Sequence, residues 1–297
     1  MRPIFTLMLI ITVFLPACKP ISKPVSITSP ADGATFNGGA SVNFSARVND
    51  FEGESLTAKW HFGDDTGIKG LQAEHAYDSK GSYSITVTLT NEFEDTVSDT
   101  ISINISSSRY RKLNELGREL SDNATDWTMV LDTTTDLIWE TKQFHDFEAD
   151  YDNPRDADNA YTWHDSNPLT NSGDPGIDGD GTDTEDVIAA LNNAKFGGLN
   201  NWRLPTFDEL ASIRDPLRFN PSINTLYFPH TSPWYYWSST TYEEEDFSYA
   251  ACHVYFMGSP SSAAPAPAAR NHYGMKDLMY RVRAVTDAEH LPVQNSD

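Results

Sequence analysis

Between Val25 and Ile105 apolar and polar residues trade places at every second position, and this alternation constrains the fold more than any other feature. A period of two sends successive side chains to opposite faces, so each run is a strand with one buried and one solvated side. The runs are Ser41 to Val48, Leu56 to Phe62, Ser82 to Leu89 and Thr96 to Ile105. Glycines from Gly33 to Gly81 punctuate them. Turn signals recurring every roughly 8–12 residues predict an all-β sandwich over residues 25–106. Trp60 and Phe62 share one face of a strand, and Tyr83, Ile85, Val87 and Leu89 one face of another, which makes them core positions.

The N-terminus sets an address. Met1, Arg2 and Pro3 form a short basic start, and Ile4 to Leu15 is an almost unbroken apolar run. A bilayer core of about 30 Å needs roughly 20 apolar residues to span, so the run reads as the centre of a signal peptide, residues 1–17. Leu15, Pro16, Ala17 and Cys18 resemble a bacterial lipobox, with a small residue directly before the cysteine. The resemblance implies cleavage before Cys18, lipid on its thiol and new amino terminus, and a tether over residues 18–24. Acyl chains contribute about 0.8 kcal/mol per buried CH₂, so several together hold a folded domain firmly on a membrane. Lys19, not an aspartate, follows the cysteine, which implies delivery to the outer membrane; the side that the domains face stays open. With Cys18 lipidated, Cys252 has no cysteine to pair with, and stability rests on buried cores.

Past residue 106 the period of two stops. Residues 107–125 read as a linker of serines followed by Leu113, Leu116 and Leu120 at helical spacing, which predicts a short helix that Gly117 weakens. Thr206 and Glu209 form a capping box for a second helix, with Pro205 blocking extension upstream and Asp215-Pro216 closing it. Thr182 and Glu185 offer another box for a helix from Asp186 to Ala194, stopped by Gly197 and Gly198. Short helices among aromatic-rich strands predict an α+β domain over residues 126–287, with a tail over 288–297.

Two families are recognisable. Trp60-His61-Phe62-Gly63-Asp64, His75-Ala76-Tyr77 and Gly81 to Val87 resemble the signature of the PKD domain. That resemblance implies an immunoglobulin-like sandwich, used in extracellular bacterial proteins as a spacer or weak adhesion unit. Asp132 to Trp139, Tyr161-Thr162-Trp163, Ala189 to Asn192, Phe196-Gly197-Gly198, Asn201 to Leu210, Tyr236 to Tyr242 and Arg281 to Val285 resemble, in order, the motifs of the Lcl C-terminal family. This second resemblance implies a loop-rich domain distantly like the C-type-lectin-like and formylglycine-generating-enzyme-like folds, and an association with surface proteins and adhesion. One member of the family binds sulfated glycosaminoglycans through basic surface. Here the chain departs from its relatives: the cysteines many of them carry are absent around Phe196, and the net charge is −22. A field of that sign disfavours capture of polyanions, nucleic acid included, by the surface as a whole. Arg270, Lys276, Arg281 and Arg283 leave room for a local basic patch; the alternative for Arg281 and Arg283 is strand residues facing solvent or pairing with acids.

Carboxylates gather in two loops, residues 145–158 and 173–186. Asp178, Asp180 and Asp183, spaced by glycines, are the candidate ligands of a structural Ca²⁺, which takes about six to eight oxygens from a flexible backbone. Thr182 and Ala189 break the EF-hand pattern, so a solvated loop leading into a helix cap stays open as the other reading. Asp50, Glu52, Asp64 and Asp65 read as turn formers rather than a cation site. Trp234 to Trp237 with Tyr242 form an aromatic block whose faces suit the C–H face of a pyranose, while core packing is the competing use of the same rings. Trp234 and Tyr242, at the flanks, are the candidates for ligand contact.

Catalytic motifs are missing: neither Gly-x-Ser-x-Gly nor His-Glu-x-x-His occurs. Cys252 lies within a strand from Tyr249 to Phe256 as a core thiol, with His253 on the opposite face. The expectation is a non-enzymatic outer-membrane lipoprotein that binds a glycan or a surface protein through its second domain. An assembly role in an envelope complex is the alternative, and an enzyme on a lectin-like scaffold the third reading.

Overall fold

The computed structural model describes residues 24–49, 55–143, 146–179, 181–242, 247–258 and 273–291. The signal peptide, Cys18, most of the tether, Asp50, Glu52, Asp180, Arg270 and the end of the tail lie outside the described residues.

The alternating runs become two facing sheets. One places β1 (Val25–Ser29), β3 (Ser41–Val48) and β6 (Gln72–Ala76) side by side. The other runs in the order β2 (Ala34–Phe36), β8 (Thr96–Ile105), β7 (Gly81–Thr90), β4 (Thr57–His61) and β5 (Gly67–Lys69). Only β2 and β8 pair in parallel among these strands. Val42, Phe44, Trp60, Phe62, Ile85, Val87 and Leu89 meet between the sheets in one continuous apolar core. Asp64 is a turn former, as expected: it accepts the Thr66 hydroxyl at 2.5 Å and lies 2.9 Å from the buried His75 ring. Asp65 beside it takes a left-handed φ of 66°.

The stretch read as a linker belongs to the second module. β9 (Tyr110–Leu113) is an edge strand of a four-stranded sheet ordered β15 (Val285–Asp287), β11 (Leu137–Glu140), β10 (Met129–Asp132), β9. The helix expected over Leu113 to Leu120 does not form. Tyr110, Lys112 and Leu113 are buried by pairing with β10, and the Asn114 side chain then accepts the N–H groups of Leu116 and Arg118 in a turn. Burial against a sheet outweighs the weak helical spacing that Gly117 already undermined.

Both later helices form. α2 (Phe207–Ser212) has the expected box, with Thr206 N–H donating to Glu209 Oε2 at 2.7 Å. α1 (Thr184–Asn193) is capped by Asp183 and Asp186, one residue beyond the expected Thr182 and Glu185. An aspartate carboxylate is the better acceptor and carries charge that favours a helix N-terminus. A third sheet sets β12 (Tyr235–Thr241), β13 (Ala250–Tyr255) and β14 (Tyr273–Met275) in that order beside α2. The second module is thus mostly β with few helices. Among the described residues no helix is long and apolar enough to cross a membrane.

Its interior is charged as well as apolar. Glu140 and Arg283 are fully buried, and Lys142 and Arg155 nearly so. Lys142 Nζ sits 2.6 Å from Glu140 Oε1, while Arg283 donates to the Glu140 carbonyl at 2.7 Å and to the Thr231 hydroxyl at 2.8 Å. The Arg283 guanidinium also lies over the Phe228 ring at 5.3 Å. Burial pulls the Lys142 ammonium below its usual range, against the pull of Glu140. Lys276 is buried too. The expected basic patch is therefore corrected: two of its four members, Lys276 and Arg283, are core groups, because these side chains satisfy carbonyls and a hydroxyl inside the domain.

The two modules meet at a polar joint. Arg109 grips Asp132 at 2.6 and 3.1 Å, donates to the Ser212 carbonyl at 3.1 Å and reaches within 3.8 Å of Asp78 in the sandwich. Asn224 donates to Asp78 at 3.0 Å, and Arg218 lies 3.6 Å from Asp64. Leu217 packs against the sandwich core. Gly38 is required here, since a Cβ would fall 2.3 Å from the Ser107 carbonyl. Burial raises the Asp78 carboxyl above its usual range, opposed by Asn224 and Arg109. Burial would likewise raise Asp132, but the Arg109 and Thr134 bonds win and hold it low. A cleft of about 410 Å³ opens beside this joint, between His75 and Asp78 on one side and Arg214 and Leu217 on the other.

Candidate binding face

The period of two divides the third sheet into two faces. Tyr236, Cys252, Val254 and Phe256 point into the core with Phe207 and Leu210 of α2. Tyr235, Trp237, His253 and Tyr255 alternate with them, and Tyr280 lies over their face. The rings form a column. Tyr255 stacks on Tyr235 at 4.3 Å and 19°, Tyr235 meets Tyr280 at 4.9 Å, and Tyr280 meets Trp237 at 4.4 Å. His253 stands edge-on to Tyr235 and Tyr280. Gly274 admits Tyr280, because a Cβ there would come within 2.7 Å of its ring.

The base of the column is fixed. Trp237 and Trp163 are fully buried, and their indole N–H groups donate to the carbonyls of Tyr161 and Ser238, each at 2.9 Å. Outward from that base Tyr280, Tyr235 and Tyr255 are half-buried. Trp234, set edge-on to Tyr235 at 5.5 Å, is 46% exposed. Burial raises the Tyr280 phenol above its usual range.

Trp234 and Tyr242 do not come together. They bracket the seven residues of β12, and a strand rising about 3.3 Å per residue puts them roughly 25 Å apart. Tyr242 stacks on Tyr273 at 4.3 Å, meets Phe247 at 5.7 Å and packs against the core. The column instead recruits Tyr255 and Tyr280, which the sequence reading passed over. Tyr255 shares its period with His253, so the alternation of the strand already placed it on this face. Nothing local marks Tyr280, whose place depends on its backbone pairing with Tyr161 at 2.8 and 3.0 Å.

Arg281 ties the first acidic loop to the strand that carries Tyr235. Its N–H donates to the Tyr235 carbonyl at 2.9 Å, Nη1 donates to the Asp158 carbonyl, and Nη2 lies 4.0 Å from the Asp158 carboxylate. Asp158 in turn accepts the N–H groups of Asp146 and Phe147, both at 2.8 Å. Tyr151 meets Tyr161 edge-to-face at 5.8 Å. Held this way, the loop exposes Asp146, Glu148, Asp150 and Asp152, with Phe147 84% exposed among them.

The second acidic loop leads into the cap of α1. Asp183 is buried as the helix cap, its Oδ1 accepting from Glu185 and Asp186 N–H at 2.8 and 3.0 Å and its Oδ2 from Gly179 N–H at 2.9 Å. Both oxygens of this carboxylate therefore accept backbone N–H groups, the arrangement of a helix cap. Asp178 is exposed. Lys276 supplies the positive charge of this region, donating to the carbonyls of Asn171, at 3.1 Å, and Asp174, with Nζ 4.4 Å over Trp163. Among the described residues no three His, Cys, Asp or Glu side chains are grouped to hold a metal ion. His164 pairs with Glu185 at 3.1 Å beside a small cavity of about 160 Å³. Cys252 is buried, its Sγ 3.9 Å from the Thr241 carbonyl.

Comparison with known proteins matches both modules. The PKD domain model covers residues 26–102, which assigns the first module to the PKD sandwich. Solved structures similar to part of the chain include the PKD1 domain of the Vibrio cholerae metalloprotease PrtV, at 22% identity over 28% of this chain and 95% of that one, with a TM-score of 0.24. Fibronectin(III)-like modules of Clostridium thermocellum CbhA match at 21% identity over 27% of this chain and 93% of that one, with a TM-score of 0.25. The PKD1 domain of Vibrio anguillarum Epp matches at 20% identity over 28% of this chain and 92% of that one, with a TM-score of 0.23. A PKD domain followed by an Lcl C-terminal domain fits an extracellular protein of adhesion or binding type. The Lcl C-terminal domain model covers residues 128–286, more than half of the sequence, and the chain belongs to that family.

Proposed function

We propose that the protein is a non-enzymatic cell-envelope lipoprotein, anchored through Cys18 in the outer membrane, that binds a glycan through its second module. That module follows, in this reading, the C-type-lectin-like and formylglycine-generating-enzyme-like plan. The supporting observation is the aromatic column of Tyr255, Tyr235, Tyr280 and Trp237, drawn from separate segments, rooted in the core and leading out to exposed Trp234. Aromatic rings held rigid by packing offer a stacking surface at little entropic cost on binding. The sandwich carries the module away from the lipid as a fixed strut, since Arg109, Asp78 and Asn224 lock the joint. A glycan array probed with the mature chain and with Trp234→Ala and Tyr255→Ala tests the reading. Binding that both variants weaken at least tenfold supports it; a hit that neither variant changes moves the site elsewhere.

A further inference from the structure

We infer that the cleft between the modules is a second binding site, separate from the aromatic face, and that it takes a small carboxylate with a compact apolar body. Its volume of about 410 Å³ lies within the range of roughly 300–1,000 Å³ usual for small-ligand sites. Both modules build its walls: His75 and Asp78 come from the sandwich, Arg214 and Leu217 from the second module. The charges around it are unevenly satisfied. Asp78 accepts from Asn224 at 3.0 Å and lies 3.8 Å from Arg109, which in turn holds Asp132. Asp215 takes the Arg218 guanidinium at 3.0 Å and the Leu217 N–H at 2.9 Å. His75 is bonded to Asp64. Arg214 is the exception. Its Nε is buried without a hydrogen-bond partner, and its neighbour Asp215 is paired with Arg218 instead.

An unmade bond at a buried donor carries the full cost of its desolvation, and a bound acid removes that cost. The flat fork of a guanidinium matches the two oxygens of a carboxylate, which an amide of the same shape cannot imitate. Burial pulls the Arg214 guanidinium below its usual range, against the pull of Asp215, and an arriving anion works in the same direction as Asp215. Ile68, Tyr110, Ile213 and Leu217 supply apolar and aromatic wall for the body of the ligand. The net charge of −22 turns away polyanions, whereas a single carboxylate on Arg214 is held by short-range bonds. Since both modules line the cleft, the ligand binds their docked form and stabilises it over the separated one.

Calorimetry on the mature chain with benzoate, phenylacetate and hexanoate, each beside its amide, tests this. Short peptides ending in phenylalanine, with a free or an amidated C-terminus, distinguish a free acid from a chain end. The expected result is an acid that binds at least tenfold tighter than its amide and raises the melting temperature. Arg214→Met removes that preference without lowering the melting temperature of the unliganded chain, because it takes away a buried donor that has no partner. Trp234→Ala leaves acid binding unchanged, which separates this site from the glycan reading. Equal affinity for acids and amides, no binding of any acid, or acid binding that survives Arg214→Met overturns the inference. So does a fall of several degrees in the melting temperature of unliganded Arg214→Met, which would make Arg214 a structural group. Tightest binding by the free-ended peptide supports the site with a chain end as its ligand, and tightest binding by a free acid supports it with a small molecule.

Discussion

The two modules solve the problem of a core in opposite ways. The sandwich buries one apolar cluster between two sheets, and the polar contacts beside that core are few and uncharged or at its rim, such as the Tyr77 hydroxyl on the Phe62 carbonyl and the Asp64, Thr66 and His75 turn. The second module divides its apolar groups among four clusters and threads Glu140, Lys142, Arg155 and Arg283 between them. A module with short strands and long loops leaves many backbone carbonyls away from regular ladders, and buried cations satisfy them. Arg155 does so for Thr141, Lys142 for Pro154 and Arg283 for Glu140. Apolar burial tolerates volume-conserving change, while a buried ion loses much when its partner leaves.

Substitution can break that contrast. Arg283→Ala should cost the second module about 3–5 kcal/mol, because it leaves a cavity and takes the donors away from the buried Glu140 carbonyl and Thr231 hydroxyl. Trp60→Ala should cost the sandwich a similar amount, about 3–5 kcal/mol, through the cavity it leaves. The modules separate in the milder pair: Trp60→Phe should be the smaller perturbation of its core, while Arg283→Lys should stay costly because one ammonium cannot replace the forked guanidinium. Denaturant melts of the four variants check this, and equal losses in Trp60→Phe and Arg283→Lys would erase the distinction.

The joint comes next in size. Arg109→Ala removes charge-assisted bonds worth about 1.5–3 kcal/mol each and should split one calorimetric transition into two. A single undivided transition would show that the modules are coupled elsewhere. Acid should act on the same place. Asp132 and Asp64 are held below the usual carboxylate range, so they stabilise the folded chain above the unfolded value of about 3.9 and lose that contribution as pH falls through their lowered folded values. Asp78 has the opposite sign: its raised value means that ionisation costs stability as pH rises through it. Asp132→Asn should flatten the acid limb of the melting curve, and Asp78→Asn should not.

The smallest effect concerns the second acidic loop. Asp178→Ala should leave the melting temperature the same in calcium and in chelator, because Lys276 and the Asp183 cap already hold the surroundings of that loop. A loss of stability seen only with calcium present would restore the cation reading of these aspartates.

How much of this was legible in the residues follows the same division. The sandwich strands and their inward faces followed from the period of two, and the Thr206 and Glu209 box formed where its spacing put it. Local signals failed where a distant partner decides the outcome. Tyr110 to Leu113 became a strand because β10 lies beside it, and Arg283 became a core group because Glu140 stands 143 residues away in sequence. The site behaves alike: exposed Trp234 was readable from its block, whereas Tyr280 reached the column only through its pairing with Tyr161.

The central claim is that the sandwich supports and the aromatic face of the second module recognises. Indole and tyrosine-ring NMR signals, followed while a bound oligosaccharide is titrated into the mature chain, test it most directly. The account predicts shifts at Trp234, Tyr235, Tyr255 and Tyr280, with Trp60 and Trp202 unmoved. Shifts confined to the sandwich, or to the cleft around Asp78 and Arg214, would contradict it.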